Sequence, residues 1–220
     1  MRKLIENKNY NEIRQALSDK PELANEGIPY DSVNTARAHP LHRICDSVCS
    51  GKITDEEGVA IAKIFLEFGA NINGINLEEK HDSPLTAASS LSADQLAIFY
   101  IEQGAEISHP GAHGGTALHW AAWTGRDKVV EKLVEQGAEI DKICIDFEAT
   151  PIFWALHGFN SDPANRQNKQ ITKNYYECVR ILVEAGADKS IPNCDGHTVF
   201  DLIGDEDLAL KHLLYPDTVI

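Results

Sequence analysis

The sequence predicts an all-α protein built as a stack of helix–turn–helix units. Three observations carry that prediction. The first is recurrence: residues 83–105 read SPLTAASSLSADQLAIFYIEQGA and residues 114–138 read GGTALHWAAWTGRDKVVEKLVEQGA. Ser83 to Gly104 and Thr116 to Gly137 both span 21 positions, and the openers Ser83, Thr116 and Thr150 lie 33 and 34 positions apart. The second is helix punctuation. Ser and Thr accept hydrogen bonds from first-turn amides, Pro suits the first turn, and a closing Gly takes the left-handed conformation that ends a helix. Gly69, Gly104, Gly137 and Gly186 hold that closing place. The third is a pair of apolar columns in the second helix, Ile61, Leu96, Val129 and Cys178 in one, Leu66, Ile101, Val134 and Val183 in the other. One such unit cannot bury its apolar face alone, so units stack.

The remaining elements follow the same order of features. Residues 39–70 open with HPLHRIC and close with AKIFLEFGA; residues 150–187 open with TPIFWALHG and close with CVRILVEAGA. GHTVFDLIGDEDLALKHLL starts a fifth copy and stops early. Small pairs, Ala87-Ala88 and Ala121-Ala122, let neighbouring helices approach. This period, with T-P-L-H-x-A-A at its start and G-A near its end, resembles the ankyrin repeat. GTALHWAAWTGRDKVVEKLVEQGAEID is similar to the family pattern over a whole repeat, and the likeness covers about residues 39–214. YNEIRQALSDKPELANEG is similar to the second helix and turn of an ankyrin N-terminal cap. The resemblance implies an ankyrin-repeat solenoid consuming all of 1–220: an N-terminal cap (1–38), repeats at 39–82, 83–115, 116–149 and 150–197, and a C-terminal cap (198–220). No second domain is expected.

Two repeats are enlarged. His39 to Gly69 runs 30 positions, an excess of nine, and Thr150 to Gly186 runs 36, an excess of fifteen. Both extras are expected between the two helices of their unit, as SVCSGKITDEEG (47–58) and FNSDPANRQNKQITKN (159–174). They either frame a surface between them or are tolerated loop growth, which costs little stability.

Composition narrows the partners. A chain of 220 residues with 43% hydrophobic and 25% charged residues is ordinary for a folded protein. A net charge of −14 without a basic block has the wrong sign for phosphate backbones and anionic membranes, which leaves a neutral or basic protein surface as the easier partner. No apolar run is long enough to span a bilayer, and MRKLIENKNYNEIRQ lacks a secretory h-region, so a cytoplasmic monomer is expected. Five scattered cysteines then read as reduced thiols.

HPLHRICDSVC, residues 39–49, holds two histidines and two cysteines. His42, Cys45 and Cys49 at i, i+3 and i+7 share a helix face, which makes a metal- or thiol-dependent role the alternative function. A structural zinc site needs four ligands, and this spacing is not a standard one. The repeat accounts for the same residues: His39 falls in the cap column, His42 in the column of His119, and Cys45 in a small buried column. No cofactor and no metal are therefore assigned. No G-x-S-x-G, P-loop, H-E-x-x-H or dinucleotide fingerprint occurs, so no enzyme is predicted.

Ankyrin arrays bind partner proteins on a concave surface of turn tips and first-helix residues, which is the function the resemblance implies here, as adaptor, scaffold or stoichiometric inhibitor. Carried over by position, the candidates are Asp46, Leu91, Trp123 and His157 after the small pair, and Lys80, Asp82, His113, Asp146 and Phe147 at the turn tips. Trp123, His113, Phe147 and His157 form an expected aromatic patch; Trp123 either faces the partner or packs on the next repeat. Trp120 and Trp154, one turn earlier, read as mainly structural. Cys178 is expected buried and Cys194 exposed.

Overall fold

Capping residues start several of the helices, and glycines close the second helix of each repeat. A computed structural model describes residues 1–30, 33, 36–74, 81–162, 173–204 and 207–215, in two compact units, 1–106 and 107–220. The predicted turn residue Lys80 lies outside the described residues, as does most of the 159–174 insertion.

In residues 1–106 the helices are α1 (Arg2–Glu6), α2 (Tyr10–Asp19), α3 (Pro40–Cys49), α4 (Asp55–Glu67), α5 (Pro84–Ser90) and α6 (Asp94–Glu102), with a 3-10 turn at Pro21–Ala24. Two short antiparallel strands, β1 (Ile28–Pro29) and β2 (Arg37–Ala38), pair Ile28 with Ala38. Helix α3 packs beside α5, and α4 beside α6. In residues 107–220 the helices are α7 (Ala117–Trp123), α8 (Asp127–Glu135), α9 (Pro151–Ser161), α10 (Lys173–Glu184) and α11 (Leu208–Leu214), with 3-10 turns at Ala112–Gly114 and Val199–Leu202. Here α7 packs beside α9, and α8 beside α10. Among the described residues no helix is long and apolar enough to cross a membrane.

Helices α3 and α5 begin at side-chain caps, each satisfying an amide that the helix leaves open. Ser83 Oγ accepts from the Thr86 amide at 3.1 Å, and His39 Nδ1 accepts from the Leu41 amide at 3.3 Å. At the other end, Gly69, Gly104, Gly137 and Gly186 have φ of 83°, 82°, 82° and 94°. Each lets the following Ala amide reach back to a carbonyl five residues earlier, as Ala70 does to Phe65 and Ala138 to Leu133, both at 3.0 Å.

The core corrects one predicted column. Ile61, Leu96, Val129 and Cys178 are fully buried, but Leu66, Val134 and Val183 are only half-buried. The second buried column is Phe65, Tyr100, Leu133 and Leu182, four residues beyond the first on the same helix face. The first insertion also differs from expectation. Helix α3 has ten residues against seven in α5 and α7, and α4 has thirteen against nine in α6 and α8, so much of 47–58 is helical. The reason is Thr54, whose Oγ1 accepts from the Glu57 amide while the Glu57 carboxylate accepts from the Thr54 amide, starting α4 early.

Candidate functional site

In residues 107–220 the turn tips and the first helices form the two walls of a groove. The tips are joined by main chain: the Asp146 amide donates to His113 O at 3.1 Å, and the Cys194 amide to Phe147 O at 2.9 Å. His113 reaches this geometry with φ of 58°, and its Nδ1 lies 3.1 Å from Asp146 Oδ2. The opposite wall comes from α7 and α9. Trp120 and Trp123 at i, i+3 share a face of α7, and Phe153 and His157 at i, i+4 share a face of α9.

The two helices approach closely at Gly158, where a Cβ would lie 2.1 Å from the Trp123 carbonyl oxygen. Position 158 is therefore required for packing and is not a free groove position. Trp154, 4% exposed, fills the space behind the walls. Its ring meets Trp120 at 5.2 Å, Trp123 at 5.8 Å, Phe147 at 6.1 Å and His119 at 5.2 Å, all near edge-to-face. Such pairs contribute about 0.5–1.5 kcal/mol each beyond area burial. Trp123 then extends the row to His157 at 5.1 Å. Trp123 thus does both things the sequence left open, packing on α9 and facing the groove.

The cavity between the walls measures about 460 Å³ and is lined mostly by aromatic carbon, with Asn193, Cys194, Asp195, His197 and Leu202 closing one side. Phe147 stands 44% exposed at its rim. Burial lowers the His157 pKa from the ordinary histidine value, which favours the neutral ring.

His119 is a buried strut beneath this site. Its Nδ1 accepts from the Thr116 amide at 3.1 Å and meets Thr116 Oγ1 at 2.9 Å, which puts the proton on Nε2, 3.2 Å from Ala149 O. Burial, opposed in part by hydrogen bonds to the Ala149 and Lys142 carbonyls, lowers its pKa to about 4. In the next repeat Phe153 takes the His119 column. Thr150 Oγ1 is left buried with no hydrogen bond, and the ring lines the groove instead.

Of the nine candidates, Trp123, His157, His113 and Phe147 line this groove, with Asp146 paired to His113 beside it. Asp46, Leu91 and Asp82 lie in residues 1–106 and form no part of it. Asp46 is engaged by Arg43 and His42 in its own helix; burial acts to raise its pKa, but hydrogen bonds from these two outweigh that and hold it below the ordinary value. Leu91 and Asp82 are half-buried at the two ends of α5. Sequence reasoning missed Trp120, Phe153 and the 193–197 turn as groove walls. The i, i+3 spacing of Trp120 and Trp123 was the available signal for the first.

The alternative ligand set is not assembled. Cys45 is fully buried, with Sγ 3.3 Å from Leu41 O and 3.6 Å from Pro84 O, and burial pushes its thiol far up from the ordinary value. Cys49 is exposed and His42 half-buried, so the three do not converge. No group of three or more potential metal ligands occurs among the described residues. Cys178 is buried and Cys194 exposed, and Cys49 is a second exposed thiol.

Capped helix pairs and closing glycines define a repeat protein, and its second unit carries an aromatic groove between turn tips and inner helices. Residues 52–144 match the family model for ankyrin repeats (3 copies), and the chain is an ankyrin-repeat protein. It is similar to palmitoyltransferase ZDHHC17 of Rattus norvegicus, 34% identical over 96 residues, which are 44% of this chain and 13% of that protein. It is also similar to palmitoyltransferase ZDHHC17 of Danio rerio, 30% identical over 130 residues, 56% of this chain and 18% of that one. A third relative, palmitoyltransferase Hip14 of Drosophila melanogaster, is 28% identical over 96 residues, 44% of this chain and 13% of its own length. The chain thus spans less than a fifth of these curated relatives.

Proposed function

We propose that this protein is a non-catalytic interaction module that holds a segment of a partner protein in the groove of residues 107–220. The observation that carries this reading is the 460 Å³ aromatic cavity on the face where turn tips meet first helices. Tryptophan and tyrosine dominate binding energy at protein interfaces because they present large, stiff contact areas. Ankyrin repeats supply recognition and no catalytic groups. Palmitoyl transfer is what the relatives' names state, and it is not proposed for this chain. The net charge of −14 favours a basic partner by speeding encounter. The setting proposed is a cytoplasmic monomer that binds no nucleic acid.

The test is affinity capture from lysate with three proteins: wild type, a Trp123→Ala, His157→Ala double variant, and a Lys128→Ala control on the exposed face of α8. Circular dichroism and melting must match across the three. A protein retained by wild type and control but lost by the groove variant supports the reading. Equal retention by all three overturns it.

A further inference from the structure

The chemistry of the groove singles out one kind of guest. Its walls carry the indole and phenyl rings of Trp120, Trp123, Phe147 and Phe153, with the buried indole of Trp154 behind. Aromatic faces carry negative electrostatic potential and attract cations held over them, indole most strongly. The charge around the cavity has the matching sign. Asp195 lines it, Asp146 stands beside His113, and among the described lining residues there is no Lys or Arg. Residues 107–220 contain ten Lys and Arg against seventeen Asp and Glu, a net of −7. Burial keeps His157 toward its neutral form, so that ring does not oppose a cation.

The polar inventory decides which cation. A bare ammonium brings three N–H donors and a guanidinium five, all needing acceptors once desolvated. The lining provides one carboxylate and few other oxygens against a large aromatic surface. An ammonium whose hydrogens are replaced by methyl groups needs no acceptors. It sheds water more readily and makes dispersion contacts with the rings while keeping its charge. Resting on the reading that the groove binds a protein segment, we infer that its central guest is a methylated lysine side chain of the partner, a di- or trimethylammonium on an alkyl stem. The stem lies along Phe153 and Trp123, and the cavity leaves room for flanking residues.

The experiment titrates the full chain, followed by tryptophan fluorescence and calorimetry. Three acetylated, amidated Gly-Ser-X-Ser-Gly peptides are used, where X is trimethyl-lysine, its uncharged tert-butyl carbon isostere, or unmodified lysine. The expected result is that the trimethyl-lysine peptide binds at least tenfold tighter than either of the others. Trp123→Ala should lower that affinity at least tenfold. Asp195→Asn, at an exposed turn tip where folding is not at stake, should lower it several-fold, with the loss shrinking at high salt. Equal binding of the isostere overturns the inference, because the groove would then read shape and apolar area alone. Failure of all three peptides to bind also overturns it. The underlying reading is scored separately by the lysate capture: a partner that depends on Trp123 and His157 but is not displaced by excess trimethyl-lysine peptide leaves the groove in use and removes only the methylammonium guest.

Discussion

Replacing His119 by Phe tests the buried strut directly, since Phe153 already occupies the same column one repeat later. The substitution removes both ring nitrogens. The Thr116 amide loses its acceptor, and the Ala149 carbonyl loses one donor but keeps the Cys144 amide at 3.1 Å. A buried amide left unpaired costs about 1–3 kcal/mol, and the carbonyl adds less because one bond remains. A net loss of about 2 kcal/mol is expected at pH 7.5. The pH dependence sharpens the test. His119 has a folded pKa of about 4, below an unfolded value of about 6.5. The unfolded chain therefore takes up the proton first as pH falls, and the contribution is intact above about pH 6.5 and declines toward pH 4. Between pH 7.5 and 5.0 the wild type should lose about 2 kcal/mol through this residue, which the Phe variant cannot lose. Urea melts of both proteins at the two pH values give the difference, because all other titrating groups are common to them. The two stabilities should converge near pH 5. A difference that stays constant with pH would refute the assignment of a buried, neutral His119.

Other consequences can be measured on the same material. Gly158→Ala places a Cβ 2.1 Å from the Trp123 carbonyl oxygen, a backbone clash that should cost at least the ~1–3 kcal/mol of ordinary overpacking and alter tryptophan emission. Thr54→Ala removes one half of the α4 capping box and should cost about 1 kcal/mol, seen as a melting point lower by about 2–4 °C. Titration of the native protein with Ellman's reagent should show Cys49 and Cys194 reacting first, with Cys45, Cys144 and Cys178 reacting only on unfolding; fast reaction of a third thiol would contradict the burial described above.

The ankyrin fold was legible because its signals are local. A cap residue, a closing glycine and a column of buried side chains each follow from chain chemistry within one unit, and Ser83, Gly104 and Leu96 show all three in a single repeat. Where the reading slipped, the deciding facts were longer in range. Leu66 and Val134 satisfy the same 3.6-residue pattern as Phe65 and Leu133, and only the facing helix selects between them. The aromatic walls were partly legible, since Trp123 and His157 could be placed by position in the repeat. Trp120 was assigned inward because its column is usually packed, and the structure gives it a half-buried place on the groove. Asp46 looked available because nothing in the sequence says that Arg43 and His42 reach it. The role of the 193–197 turn depends on Cys194 pairing with Phe147, forty-seven positions away, which no local pattern records.

The turn tips of residues 107–220 are stitched to one another by amides and carbonyls, His113 to Asp146 and Phe147 to Cys194. One side-chain pair, His113 Nδ1 to Asp146 Oδ2 at 3.1 Å, adds to that stitching. The outer wall therefore behaves as a socket with exchangeable pins: substitution at 194 or 195 changes the surface of the groove while these main-chain bonds remain. Positions 113 and 148 are constrained, because their positive φ of 58° and 50° favours residues such as Asn or Gly, and Gly114 has no room for a side chain against Ile145. If the groove binds as proposed, selection for a new partner can act at 194 and 195 without first rescuing folding, so at these two positions recognition and stability are inherited as nearly separate traits.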